Sequence, residues 1–148
     1  MPAAPSYSIK RTIIGQLPYG ADLYESLTQL VKKEGITCGR IAGLGATTHA
    51  VVAFYDQKTH VYNPLEFPGG MEILNLHGNI SVRDGQPFVH VHIVLGDAAG
   101  RVFGGHLLPG TRLFACEVFV DEFDGPPLTR NQEPRTGLHL WNGTLPGT

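Results

Sequence analysis

The hydrophobic pattern changes period once along the chain. Residues 22–34 place Leu23, Leu27, Leu30 and Val31 at i, i+4, i+7 and i+8, the stripe of a helix lying on a core. Asp22 followed by Glu25 resembles a capping box. Lys32 and Lys33 suit the negative end of the helix dipole, and Gly35 is placed as the stop. From Cys38 onward the period is two. Residues 38–56 read as two strands around a bend at Gly43-Leu44-Gly45, and 60–67 as a short strand broken by Pro64. Residues 71–83 read as a longer strand, with Leu74, Leu76, Ile80 and Val82 on one face and Asn75, His77, Asn79 and Ser81 on the other. Asp84-Gly85 is a hairpin signal joining it to 87–96. Residues 101–108 and 112–123 complete the strands, and 7–17 supplies one before the helix. One helix and many strands predict an α+β domain with a mainly antiparallel sheet.

Three regions follow: a flexible N-terminus at 1–7, a domain at 8–123, and a tail at 124–148, rich in Pro, Gly and Asn, that packs on the domain through Leu138, Leu140 and Trp141. The chain has 148 residues, enough for one domain with a substantial core. Net charge is -2, and the eleven Lys and Arg are scattered, with no run longer than a pair. That argues against strong non-specific DNA binding. Cys38 and Cys116 lie in apolar strand-like segments and read as buried free thiols, which suits a reducing cytoplasm. No apolar run is long enough to span a membrane.

The stretch FVHVHIVLGDAAGRVFGGHLLPG, residues 88–110, holds His90, His92 and His106 in apolar, glycine-rich surroundings. His90 and His92 share a strand face, while Val89, Val91, Ile93 and Leu95 line the opposite one as core. Two imidazoles about 7 Å apart along a strand can converge on one ion. His106, from the next strand, completes a three-histidine set with an open fourth position, as catalytic zinc sites have. A lone His-x-His pair is more often a satisfied polar feature than a ligand pair; the third histidine tips the balance. Asp97 has the wrong parity for the histidine face. Glu117 and Glu72 are the candidate catalytic bases; each is also readable as a partner supporting a metal ligand or, the favoured reading, as an exposed edge residue. His49, His60, His77 and His139 read as structural or surface residues. Gly43-Leu44-Gly45-Ala46 is too short for a dinucleotide fingerprint and reads as a tight bend.

Gly43-Leu44-Gly45-Ala46, the run Met71 to Gly78, Pro87 to His92, and Gly104-Gly105-His106-Leu107 together resemble the PPC domain, the plant and prokaryote conserved domain. The resemblance covers about residues 8–123 and keeps the motif order. It implies an α+β fold with an antiparallel sheet and one main helix, assembled as a homotrimer. It also implies a metal site, with zinc as the divalent ion, at His90, His92 and His106. The family carries a DNA-binding and regulatory label through plant relatives that join the domain to an AT-hook with an Arg-Gly-Arg-Pro core. This chain has no such core. Gly69-Gly70-Met71-Glu72-Ile73-Leu74 stands where the plant type has Gly-Arg-Phe-Glu-Ile-Leu, without its arginine. The implied DNA contact is therefore weak.

Two other functions fit the residues. One is a small zinc enzyme acting on a small-molecule ligand, with the metal activating water and Glu117 or Glu72 as base. The other is a cupin-like barrel, which would want a glutamate shortly after His-x-His where this chain offers Asp97.

Overall fold

A computed structural model describes residues 6–142. The elements run β1 (Ser8–Leu17), α1 (Leu23–Glu34), β2 (Gly39–Asp56), β3 (Val61–Arg83), β4 (Gln86–Gly96), β5 (Val102–Leu107), β6 (Arg112–Asp124), β7 (Arg130–Gln132) and β8 (His139–Trp141). Asp22 caps α1 by accepting from the Glu25 amide, and Gly35, at φ 66°, closes it in the left-handed region. Leu23, Leu27 and Val31 are the buried stripe. They join one apolar core with Val89, Val91, Ile93 and Leu95 of β4. The helix thus covers one face of the sheet.

The main sheet is antiparallel, in the order β1-β6-β2-β3-β4-β5. It also curls back on itself, because Val52 and Ala53 of β2 pair with Leu107 and His106 of β5. A Cβ on Gly105 would sit 2.8 Å from the Ala53 carbonyl oxygen, and one on Gly104 would sit 2.5 Å from that of Ile93. The two glycines therefore let β5 fit between β4 and β2.

The strand pattern differs from the sequence expectation in three places. Residues 39–56 form one strand: the Gly43-Leu44-Gly45 bend is absorbed as register shifts at Gly43/Gly45 and Thr47/His49. Such irregularities bend a strand without ending it. Residues 60–67 and 71–83 likewise merge into β3. Pro64 is tolerated there because β2 is the only strand that β3 pairs with around it. Parity also slips. A shift between Ile73 and Asn75 turns Leu74 outward, 54% exposed. Phe114 is likewise left out of the pairing with β2 and is 59% exposed, while Leu113 is buried with Cys116, Val118 and Val120. Asp84 (φ 51°) and Gly85 (φ 74°) form the predicted hairpin turn.

The face of β1, β6 and β2 turned away from the core is open and carries large apolar side chains. Ile14 pairs directly with Phe119, and both are exposed, as is Leu44. The segment after β6 returns along the sheet. The Val82 amide donates to the Leu128 carbonyl at 2.7 Å, and β7 and β8 form a small hairpin there.

Candidate metal centre

β4 and β5 run antiparallel with His92 directly opposite His106. His90 lies two residues along β4 on the same face, so strand pleating alone gathers the three rings. Their ring centroids are 5.1, 5.1 and 5.5 Å apart. One nitrogen from each lies within 4.8 Å of the others, and the two Nε2 atoms of His90 and His92 are 3.2 Å apart. Donors around a tetrahedral zinc stand about 3.3 Å apart, from bonds of about 2.0–2.1 Å.

Burial, helped by the neighbouring Arg130 charge and by His92, pushes the His90 pKa down to about 4. His106 is also held at about 4 by burial, with His90, His92 and Arg130 adding to it. Burial lowers His92 as well. Burial thus favours the neutral form in all three rings, the form that offers a lone pair to a metal. His106 Nδ1 is buried and has no hydrogen-bond partner among the described residues. A donor set of three neutral imidazoles, one with an orphaned nitrogen, fits zinc or another imidazole-preferring transition ion.

The histidines open into a cavity of about 690 Å³. Tyr62 packs against His106, ring centroids 4.8 Å apart, and Phe54 and Tyr55 lie nearby on the hairpin of β2 and β3. Arg130 forms the facing wall and is 8% exposed. Its Nε donates to Ser81 Oγ at 2.7 Å, one terminal nitrogen to the His139 carbonyl at 2.7 Å, and the other to Asn79 Oδ1 at 2.6 Å. Asn79 is the cross-strand partner of His90, so the arginine is tied to the strand pair that carries the histidines. Its guanidinium also lies over Phe88 and Trp141, 5.6 Å from each ring centroid.

Glu72 and Glu117, the candidate bases, do not line this cavity. Register shifts and parity place them elsewhere: Glu72 pairs with Gly96 beside a separate shallow pocket. Glu117 is on the open face between Gln16 and Leu44. His77 lies across β3 from His92 but is exposed and outside the cavity. His49 is 3.7 Å from Glu66, and His60 stacks on Tyr55. His139 lines the cavity and, through its carbonyl, holds Arg130, a role its sequence setting did not suggest. Arg130 itself was missed, because it sits in a Pro- and Gly-rich segment with no period to read.

Residues 4–124 match the Plants and Prokaryotes Conserved (PCC) domain. Among solved structures, a plant- and prokaryote-conserved protein of Pyrococcus horikoshii superposes with a TM-score of 0.90 at 33% identity, covering 96% of this chain and 98% of that one. A metal-containing protein of Archaeoglobus fulgidus gives 0.88 at 37% identity, covering 93% and 97%. A protein of Bacteroides thetaiotaomicron described as a "putative dna binding protein" gives 0.83 at 31% identity, covering 92% and 96%. The chain spans about a fifth of the length of the curated relatives it matches. One is the bifunctional protein GlmU of Synechococcus sp. strain JA-3-3Ab, 30% identical over an alignment of 141 residues that covers 92% of this chain and 21% of that protein.

Proposed function

Because the chain belongs to the Plants and Prokaryotes Conserved domain family, we propose that it is a metal-binding member in which His90, His92 and His106 hold one divalent ion, zinc, with its open position turned to a small-molecule cavity. The observation that carries this reading is the convergence of three imidazole donors within 4.8 Å beside that cavity. The metal-containing relative from Archaeoglobus fulgidus supports it. A zinc ion held by three histidines supplies Lewis acidity and lowers the pKa of bound water. This chain's contribution is to keep the imidazoles neutral, fix their spacing by strand register, and wall the ion with aromatic side chains. Neither Glu72 nor Glu117 reaches the cavity within the chain, so an enzymatic role requires another base. Elemental analysis of the purified, full-length protein tests the proposal. About one equivalent of metal per chain supports it; a metal-free protein that takes up no zinc on addition contradicts it.

The domain at 8–123 with its packed tail is proposed to assemble as a homotrimer in the cytoplasm. Ile14, Leu44, Phe114 and Phe119 leave an apolar face that a second copy would cover. The two buried free cysteines suit a reducing compartment. Light scattering should give three times the 16.0 kDa chain mass, and a monomer across dilution would defeat the assembly.

DNA is the second reading, favoured by the description of the Bacteroides relative. The charge distribution opposes it. Lys10, Arg11, Arg40, Arg101 and Arg135 each face a carboxylate, and Arg83 and Arg130 line the cavity. Few cations are left to neutralise phosphates.

A further inference from the structure

We infer that the cavity beside the three histidines is an anion site, in which Arg130 and Arg83 receive the carboxylate or phosphate head of a small organic anion and the aromatic wall receives its body. This deepens the metal reading by naming the ligand class, but its arginine half stands on separate observations.

The first is Arg130 itself. An arginine only 8% exposed is normally paired with an anion, because an uncompensated buried charge is costly. Arg130 has no carboxylate partner among the described residues; Ser81, Asn79 and the His139 carbonyl, all neutral, take three of its N–H groups. A guanidinium has five, so two N–H groups remain, one on each terminal nitrogen, to donate to a further acceptor.

The second is the composition of the cavity wall. Among the described residues it contains two arginines and three histidines of the cluster, and no aspartate or glutamate. Arg83 faces the same space from the end of β3. Its only acidic partner among the described residues, Asp84 at 3.5 Å, is 84% exposed. Both guanidinium groups lie over Phe88, 5.4 Å from its ring centroid for Arg83 and 5.6 Å for Arg130. A cation-lined space with no internal counter-charge is complementary to an anion. Tyr62 and Phe54 on the opposite side offer flat apolar surface, which selects an organic anion over an inorganic one.

The full chain, stripped of metal and again after zinc addition, is to be titrated calorimetrically with benzoate, phenyl phosphate and neutral benzamide. Emission of Trp141, the one tryptophan, gives a second signal because Arg130 lies over its ring. In the metal-free protein at least one of the two anions should bind about tenfold or more tighter than benzamide, and the better one identifies the head group. Arg83→Gln should remove most of that preference while leaving the melting temperature in place; Arg130→Lys should weaken the anion and spare benzamide. Added zinc should tighten the anion further. Equal binding of anions and benzamide, or none by either, overturns the proposal even if zinc binds. An anion preference that zinc does not change keeps the anion site and counts against the metal reading alone.

Discussion

One wall of the cavity, β4 with β5, carries its chemistry on a strict two-residue period, while the wall facing it, residues 128–141, carries it on a short hairpin with no period. In the first wall, His90 and His92 alternate with Val89, Val91 and Ile93, so burying the valines fixes where the imidazoles point. In the second wall, Arg130 reaches from the tail to Ser81 and Asn79 on β3. The first wall is held by a continuous ladder and the core. The second is held by the three Arg130 hydrogen bonds, the Val82 amide on the Leu128 carbonyl, the Tyr55 hydroxyl on the Thr136 carbonyl, a short strand pair and two aromatic faces. The difference should separate metal binding, which belongs to the strands, from anion binding and tail order, which depend on the hairpin.

The largest effect belongs to the strand wall. His92→Ala should weaken zinc by about 100-fold or more, since changes to residues that merely support metal ligands already cost 10–100-fold. It should leave the tail as protease-resistant as in the wild type. Equal zinc affinity in the variant would break the assignment. Next is the packing that places His106. In Gly105→Ala the new Cβ meets the Ala53 carbonyl oxygen at 2.8 Å and Val52 Cγ2 at 3.2 Å. Overpacking of this kind costs about 1–3 kcal/mol. Urea denaturation should show that loss together with weaker zinc; a fully stable variant would mean that β5 has room to move.

Arg130→Leu should act on the other wall. It leaves Asn79 and the His139 carbonyl without their donor, a penalty of about 1–3 kcal/mol that part of the hairpin can relieve by opening to water. Limited proteolysis after residue 128 should quicken, while zinc affinity stays within a few-fold. Should zinc fall as steeply as in His92→Ala, the two walls would be one cooperative unit.

The smallest effect lies away from the cavity. The Asp121 carboxyl is held below its ordinary value of 3.8, first by the Thr12 hydroxyl and then by Arg40. Above that pH the carboxylate is charged in both the folded and unfolded chain. As pH falls below it the unfolded chain takes up the proton first, so stability drops. Asp121→Asn should therefore flatten the acid limb of the stability profile below about pH 4. An unchanged limb would place that acid sensitivity on other groups.

The sequence made the strand wall and the helix readable because both follow a period set by burial. Asp22, Gly35 and the Leu23–Leu27–Val31 stripe signal α1 locally, and Asp84-Gly85 signals the turn that sets the register of β4. Its failures cluster where one residue slips out of register. Leu74 and Phe114 keep the composition of a core strand, yet a pairing shift beside each turns it outward, and only the neighbouring strand decides that. Glu72 and Glu117 were candidates because they are acids on apolar strands. Their distance from the histidines follows from strand order, which periodicity does not encode. Arg130 was invisible for a different reason: its role comes from contacts to residues 49 and 51 positions earlier, with no local pattern around it.

Diffraction from crystals of the zinc-loaded protein, recorded at the zinc absorption edge, tests the metal centre most directly. One anomalous peak per chain is expected about 2.0–2.1 Å from a nitrogen of each of His90, His92 and His106. Absence of a peak there, or a peak held by other residues, would contradict it.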